Sequence, residues 1–273
     1  MLKKLIFHEF RATGRIFLPL YGAFIIMSFL LRGYMELQDA WQFELPGWLG
    51  IIGAIPVILY VLLFIATLAA TVVVAIQRFY KNLMTEEGYL MFTLPVKVRQ
   101  LINSKLLVAV VWTIVSALIC VLSVFILAYS PQNFETIGHW WDIIVEMTAA
   151  QGFYMDARFL TELIIISLIE IVASYIMIYT AVAATNFSGN HKILMGIAAY
   201  LALNIVSQIV ASLGMLLFGV MFHQSVTDML FNSQNYMGFF DWYLWGSAAI
   251  TVILAVLEYL LTNWILKRKL NIN

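Results

Sequence analysis

Two carboxylates lie inside long apolar stretches of the chain. Glu170 falls near the middle of an apolar run over residues 162–185, and Glu258 lies in the inner part of a run over 243–266. A carboxylate at the centre of a transmembrane helix costs about 2.5–3.5 kcal/mol on insertion scales, so it usually faces the bundle interior or a water-filled cavity. For Glu170, a polar substrate path and a structural clamp between helices both stay open. For Glu258, nearer the inner headgroups, a structural role is favoured.

Two amide side chains offer a partner for the first of these acids. Asn204 and Gln208 are four residues apart, so they share one face of the apolar run over 192–221. Amides on one transmembrane helix can hydrogen-bond across to a polar group on another. The sequence therefore predicts that this pair satisfies Glu170, as part of either a substrate path or a clamp.

A compact polar segment, "TEEGYLMFTLPVKVRQ", occupies residues 85–100 between two apolar runs. It belongs to a loop over 77–105, which is longer than the 2–8 residues common between bundled helices. Thr85 is placed to cap a short helix, and two acids directly after it are favourable near a helix N-terminus. Pro95 can open a second helix that runs into the next span.

This loop has two interpretations. A solvated loop anchored by basic residues is the simpler one. Four consecutive large side chains, Tyr89, Leu90, Met91 and Phe92, argue against it, because an apolar patch of this kind in solvent needs a partner. We therefore expect an ordered elbow that presents a short helix, a kink and a rigid connection to the membrane.

Several kinds of catalytic and binding machinery are absent from the sequence. No stretch matches the phosphate-binding pattern G-x-x-x-x-G-K-[ST] or the zinc pattern H-E-x-x-H, and no serine or cysteine has an evident base. The net charge of +0 gives no basic field for nucleic acid. We therefore expect no catalysis, no metal and no cofactor in this chain.

The composition places these segments in a bilayer. The 273 residues are 63% hydrophobic and 11% charged, with a mean hydropathy of +0.93, whereas soluble domains carry about 25% charged residues. A span needs about 20 mostly apolar residues. Six such runs predict an all-α integral membrane protein with one membrane domain over 1–273, with spans at about 16–31, 50–76, 106–129, 162–185, 192–221 and 243–266.

The basic residues predict the orientation of these spans. Of the 15 lysines and arginines, only Arg32 and Arg158 fall on one side. Lysine and arginine favour the cytoplasmic side of short loops, so both termini and the 77–105 loop are predicted to be cytoplasmic. Two surface helices are also predicted: a basic amphipathic helix over 1–14, and a short helix around "HWWDIIVEM" in the outer loop over 130–161.

A family resemblance rests on the loop. The string "RFYKNLMTEEGYLMFTLPVKVRQLINSKLL" resembles the loop before the third span in permease subunits of ABC-2 type bacterial ATP-driven exporters, and "HEFRATGRIFLPLY" and "ILKRKLN" are similar to the same group. The resemblance implies six spans per permease, a second permease as partner, and a cytoplasmic ATPase subunit that binds ATP and Mg²⁺. It implies a coupling helix at about Met84–Phe92. The coupling residues it implies are Thr85, Glu86, Glu87, Gly88, Tyr89, Leu90, Phe92 and Pro95.

The resulting hypothesis is a multi-pass permease subunit of an ATP-driven exporter in the bacterial cell membrane. Two alternatives stay open: a secondary transporter that uses Glu170 or Glu258 for proton coupling, and a membrane scaffold or sensor that recruits a soluble partner. The absence of internal sequence repeats weighs against the first alternative, because many secondary transporters have them.

Overall fold

The computed structural model describes residues 2–41, 50–85, 88, 96–150, 156–187, 191–221 and 236–269. Within these ranges the chain is helical and contains no strand. The seven α-helices are α1 (Leu2–Trp41), α2 (Gly50–Met84), α3 (Val98–Ala128), α4 (Pro131–Ala150), α5 (Ala157–Ala184), α6 (Lys192–Met221) and α7 (Tyr236–Lys269). A short 3-10 helix, Thr185–Phe187, follows α5 directly.

Six of these helices are long and apolar enough to cross a membrane. Within the described residues they are α1 to α3 and α5 to α7, and the most apolar 18-residue stretch of each has a mean hydropathy between 1.8 and 2.8. Continuous apolar segments form helices in a bilayer because a helix satisfies its own backbone hydrogen bonds. The prediction of an all-helical chain with six spanning segments is confirmed at this level, whereas the orientation of the termini stays a prediction.

The leader and the first span form one helix. The basic amphipathic pattern predicts an interfacial helix over 1–14 before the first span, but α1 runs without interruption through both segments and contains Pro19. A proline inside a membrane helix is tolerated when neighbouring groups satisfy the freed backbone. The separate N-terminal helix is therefore not found, and the position of the leader at the membrane surface stays a prediction.

The chain divides into two compact units. Unit 1 comprises residues 1–78 and 100–136, and unit 2 comprises residues 79–99 and 137–273. Each unit has its own core. The proposal that all spans act as one permease domain stays a prediction.

Aromatic rings and hydroxyl pairs form the core of unit 1. Phe17 of α1 stacks on Trp112 of α3 with ring centroids 4.7 Å apart. The Tyr21 hydroxyl lies 2.6 Å from Ser116 Oγ, so α1 and α3 are joined inside an apolar environment. Small hydroxyl residues at such a position let two helices approach closely and satisfy each other's polar atoms.

The core of unit 2 is built around α5. Phe79, near the end of α2, stacks on Tyr179 with ring centroids 4.1 Å apart and planes 12° from parallel. Thr180 of α5 and Thr262 of α7 share a hydrogen bond of 2.7 Å between their hydroxyl oxygens. Asp156 caps the start of α5, where its Oδ1 accepts from the Phe159 amide at 2.9 Å. These contacts fix α5 against both neighbours.

Residues 130–161, which are predicted to form an outer loop, contain a helix that is longer than the predicted one. Helix α4 has 20 residues and extends well before the "HWWDIIVEM" segment. Trp140, Trp141, Ile144 and Met147 are all exposed on it. Exposed aromatic and aliphatic side chains suit a helix at a membrane surface, although the location itself stays a prediction.

Candidate functional site

Three helices of unit 2 line an open cavity of about 310 Å³, which we call the polar cavity. Both intramembrane carboxylates, Glu170 of α5 and Glu258 of α7, line it, and so do the amides Asn204 and Gln208 of α6. The structure therefore brings together all four residues that the sequence singles out within the spans. Their role stays a proposal.

The helical repeat explains why these side chains converge. On α7, Thr251, Leu254, Ala255 and Glu258 follow the spacing of three and four residues that defines one helix face. The lining residues of α5 and α6 obey the same rule. Alanines at 173, 211 and 255 line the cavity too, and their short side chains leave space between the helices.

Glu170 has a different partner from the one predicted. Its Oε1 accepts a hydrogen bond from Thr251 Oγ1 at 3.0 Å, and its side chain is exposed. The amide of Gln208 instead donates to Asn204 Oδ1 at 2.7 Å, within α6. The predicted bond from this amide pair to Glu170 is therefore replaced by two separate contacts on the wall of the same cavity.

The main-chain carbonyl of Glu258 bonds to neighbouring helix residues, while its side chain lines the polar cavity. The residue is 7% exposed, and its carbonyl oxygen accepts from the hydroxyls of Thr180 at 3.2 Å and Thr262 at 3.0 Å. Its Oε1 has a longer contact of 3.4 Å with Ser207 Oγ. The structural role favoured from sequence fits the carbonyl, while the carboxylate lines open space.

The two carboxylates reach the polar cavity from different levels of α7. Glu170 contacts Thr251, which precedes Glu258 by seven residues on α7. At 1.5 Å per residue, the main chains of Thr251 and Glu258 lie about 10 Å apart along the helix axis. The described lining residues include no lysine, arginine or histidine, so the polar cavity carries only acidic ionisable groups apart from Tyr200.

The hydroxyl residues of the cavity are the part that sequence reasoning missed. Ser174, Tyr200, Ser207 and Thr251 all line it. Helical spacing in the sequence could have placed these hydroxyls on the same helix faces as the acids and amides. Ser207 follows Asn204 by three residues, and Thr251 precedes Glu258 by two turns. Single hydroxyls in apolar helices commonly bond to their own backbone, so spacing alone is a weak signal.

The opposite side of the α5–α7 contact is apolar. A groove of about 400 Å³ there is lined by aliphatic side chains, including Leu168 and Val172 of α5 and Val252 and Val256 of α7. We call it the apolar groove. The same two helices thus present a polar face and an apolar face, as expected where one side of a helix pair meets lipid and the other does not.

Only part of the predicted coupling segment lies within the described residues. The Thr85 hydroxyl donates to the Lys81 carbonyl at the end of α2, and the Gly88 amide donates to the Thr85 carbonyl at 2.9 Å. A methyl group added at Gly88 would lie 2.8 Å from the carbonyl oxygen of Leu83. The remaining coupling residues, Glu86, Glu87, Tyr89, Leu90, Phe92 and Pro95, lie outside the described residues.

Among the residues that the structure describes, no group of three or more histidine, cysteine or acidic side chains is arranged to hold a metal ion. Comparison of the chain with protein-family models, with curated proteins and with solved structures finds no match.

Proposed function

We propose that this chain is the membrane-spanning permease subunit of an ATP-driven transporter, and that its substrate passes through the polar cavity of α5, α6 and α7. The observation that carries this proposal is the position of Glu170 and Glu258 on the wall of one cavity within apolar helices. A volume of about 310 Å³ falls in the range of roughly 300–1,000 Å³ typical of small-molecule sites.

A structural clamp explains this arrangement less well. A clamp would bring its polar groups into contact with each other, since each unsatisfied polar group in a bilayer costs several kcal/mol. Here the Glu170 carboxylate has one described hydrogen bond, from Thr251, and the Glu258 carboxylate has one longer contact, with Ser207. Polar groups that surround space in a membrane favour a water-filled or ligand-filled path.

The loop over residues 77–105 is the basis for proposing ATP as the energy source of transport. The resemblance of residues 77–105 to ABC-2 permeases, together with the absence of a phosphate-binding motif in the sequence, supports a separate cytoplasmic ATPase that binds ATP and Mg²⁺. A second permease copy or homologue would complete the transporter. We propose that the complex lies in a bacterial cell membrane and exports its substrate.

Unit 2 offers a mechanical route from this loop to the cavity. Helix α2 ends at Met84, directly before the coupling segment, and the Asn186 amide lies 3.0 Å from Met84 Sδ. One turn earlier in α2, Phe79 is fully buried against Tyr179 of α5. A displacement of the segment by the ATPase would therefore be passed to α5, which carries Glu170, through closely packed contacts.

A second candidate function is favoured by the same carboxylates. An ATP-independent transporter could load protons on Glu170 or Glu258, because acids within transmembrane segments serve as proton relays in many transporters. This candidate needs no partner ATPase. It predicts that transport follows a proton gradient.

One experiment separates the two candidates. The tagged chain is purified from its own cells in mild detergent, reconstituted into proteoliposomes, and assayed for ATP turnover by co-purified protein. ATP hydrolysis that is lost together with transport when the partner's nucleotide site is inactivated supports the ATP-driven permease. Transport that runs on an imposed proton gradient, with no ATPase in the preparation, overturns it in favour of the secondary transporter.

A further inference from the structure

The polar cavity has a charge pattern that selects among ligands. Its described lining includes two carboxylates and no lysine, arginine or histidine. Glu258 is 7% exposed, and the only described partner of its carboxylate is Ser207 at 3.4 Å. A buried carboxylate without a counter-ion is strongly destabilised, and a ligand that brings a positive charge would compensate it. An anionic ligand would add repulsion.

The spacing of the acids indicates the shape of such a ligand. Glu170 contacts Thr251 and Glu258 contacts Ser207, and the main chains of Thr251 and Glu258 lie two helical turns, about 10 Å, apart on α7. Between them the wall includes Ala173, Ala211 and Leu254, which suit a hydrocarbon chain. The cavity thus has an acidic group at each end and apolar wall between.

From this geometry we propose that the polar cavity binds an elongated organic dication, with one protonated amine at Glu258 and a second at Glu170. The inference rests on the proposed function in that it names the class of substrate for the same cavity. Charge-assisted hydrogen bonds from ammonium groups to carboxylates are about twice as strong as neutral ones. Asn204 and Gln208 offer further polar contacts along the path.

The test is direct binding to the purified full chain in detergent micelles, measured by calorimetry. Three probes of the same chain length are compared: 1,5-diaminopentane, 1-aminopentane and the dicarboxylate pentanedioate. We expect the diamine to bind about tenfold or more tightly than the monoamine, which corresponds to the loss of one interaction of about 1.4 kcal/mol. We expect no binding of the dicarboxylate.

Substitutions then assign the binding to the two acids. Glu258→Gln and Glu170→Gln keep the side-chain shape and remove the charge, so each should reduce the affinity for the diamine about tenfold. Glu170→Asp, which keeps the charge, should recover part of the loss. The matched control is Glu146→Gln on α4, an exposed acid outside the cavity, which should bind the diamine as the wild type does. Circular dichroism checks that each variant is folded.

Several results would overturn the inference: no diamine binding, equal binding of the dicarboxylate, or diamine binding that survives both glutamine substitutions. The outcome is separable from that of the proposed function. Diamine binding without ATP-driven transport would leave the site standing and reject the permease. ATP-driven transport of a neutral or anionic substrate, unaffected by the diamine, would leave the permease standing and reject the dication.

Discussion

In unit 1 the buried polar side chains of neighbouring helices are paired with one another, whereas the polar side chains that line the polar cavity of unit 2 surround open space. Tyr21 and Ser116 lie 2.6 Å apart, and Tyr60 and Ser123 lie 2.9 Å apart, with all four residues buried. In unit 2, by contrast, Glu258 reaches its described partner only at 3.4 Å. Similar residue types thus form close pairs in one unit and a cavity wall in the other.

The difference is sharpest for the acids. Glu9 of α1 accepts from Lys105 Nζ of α3 at 2.6 Å, and the side chains are 10% and 3% exposed. Glu170 has a hydroxyl as its described partner, and its side chain is exposed. A buried and paired charge stabilises or specifies a structure, while an exposed acid within the span requires a ligand, water or protein to face it. The comparison therefore predicts a structural role for the Glu9–Lys105 pair and a role in ligand binding for Glu170.

Lys105→Met should have the largest effect on stability. The change removes the Lys105 cation from the buried Glu9 carboxylate, and breaking a buried pair in this way typically costs about 3–5 kcal/mol. Titration of the micelle-bound protein with SDS measures the free energy of unfolding. The double variant Glu9→Leu with Lys105→Met removes both charges and should recover most of the loss. If the single variant is as stable as the double variant, the pair is not a structural element of unit 1.

Gly88→Ala should have an intermediate effect, concentrated on the coupling segment. The added methyl group would lie 2.8 Å from the Leu83 carbonyl oxygen, and a backbone atom cannot turn away as a side-chain end can. We expect a cost of about 1–3 kcal/mol, typical of overpacking, and weaker co-purification of the ATPase. The control is Gly138→Ala on α4, where nothing lies within 4 Å of the added atom. Normal ATPase association in Gly88→Ala would count against this segment as the docking element.

A pair of tyrosine substitutions compares the two units with the same chemical change. Tyr21→Phe removes a hydroxyl that is paired with Ser116, so it should cost about 0.5–1.5 kcal/mol of stability. Tyr200→Phe removes a hydroxyl at the cavity from a side chain that is 39% exposed, and it should stay within about 0.5 kcal/mol of the wild type. SDS titration measures both. A larger loss in Tyr200→Phe would show that the cavity wall is stabilised as tightly as the core of unit 1.

The sequence was sufficient to predict the spans because the bilayer imposes a simple rule of length and hydrophobicity. Every predicted span falls in one of the six helices that are apolar enough to cross a membrane, to within about one residue. The continuity of α1 was missed. The basic amphipathic pattern over 1–14 and the apolar run from residue 16 were treated as two segments, but a change in hydrophobicity does not break a helix, and Pro19 did not end this one.

The sequence was sufficient to predict the acids and amides of the candidate site, but not their hydrogen-bond partners. An acid or amide in an apolar run has few stable environments, so Glu170, Glu258, Asn204 and Gln208 stood out individually. Which partner each one meets depends on the rotation of every helix about its own axis. Packing sets that rotation, and Thr251 consequently took the place predicted for the amides beside Glu170. Thr251 was missed because a lone hydroxyl is common in such helices.

A matched pair of glutamate substitutions provides the most direct test of the comparison, and Glu170→Gln has the smallest expected effect on stability. It retains an oxygen that can accept from Thr251, so the free energy of unfolding should change by less than about 0.5 kcal/mol. Glu9→Gln removes the charge that faces the buried Lys105 and should lose several kcal/mol. ATP-driven uptake of labelled 1,5-diaminopentane into inverted proteoliposomes is measured alongside SDS titration. We expect Glu170→Gln to be as stable as the wild type and deficient in uptake, because the removed charge faces the cavity. A Glu170→Gln protein that is both stable and fully active would show that this acid contributes to neither structure nor transport.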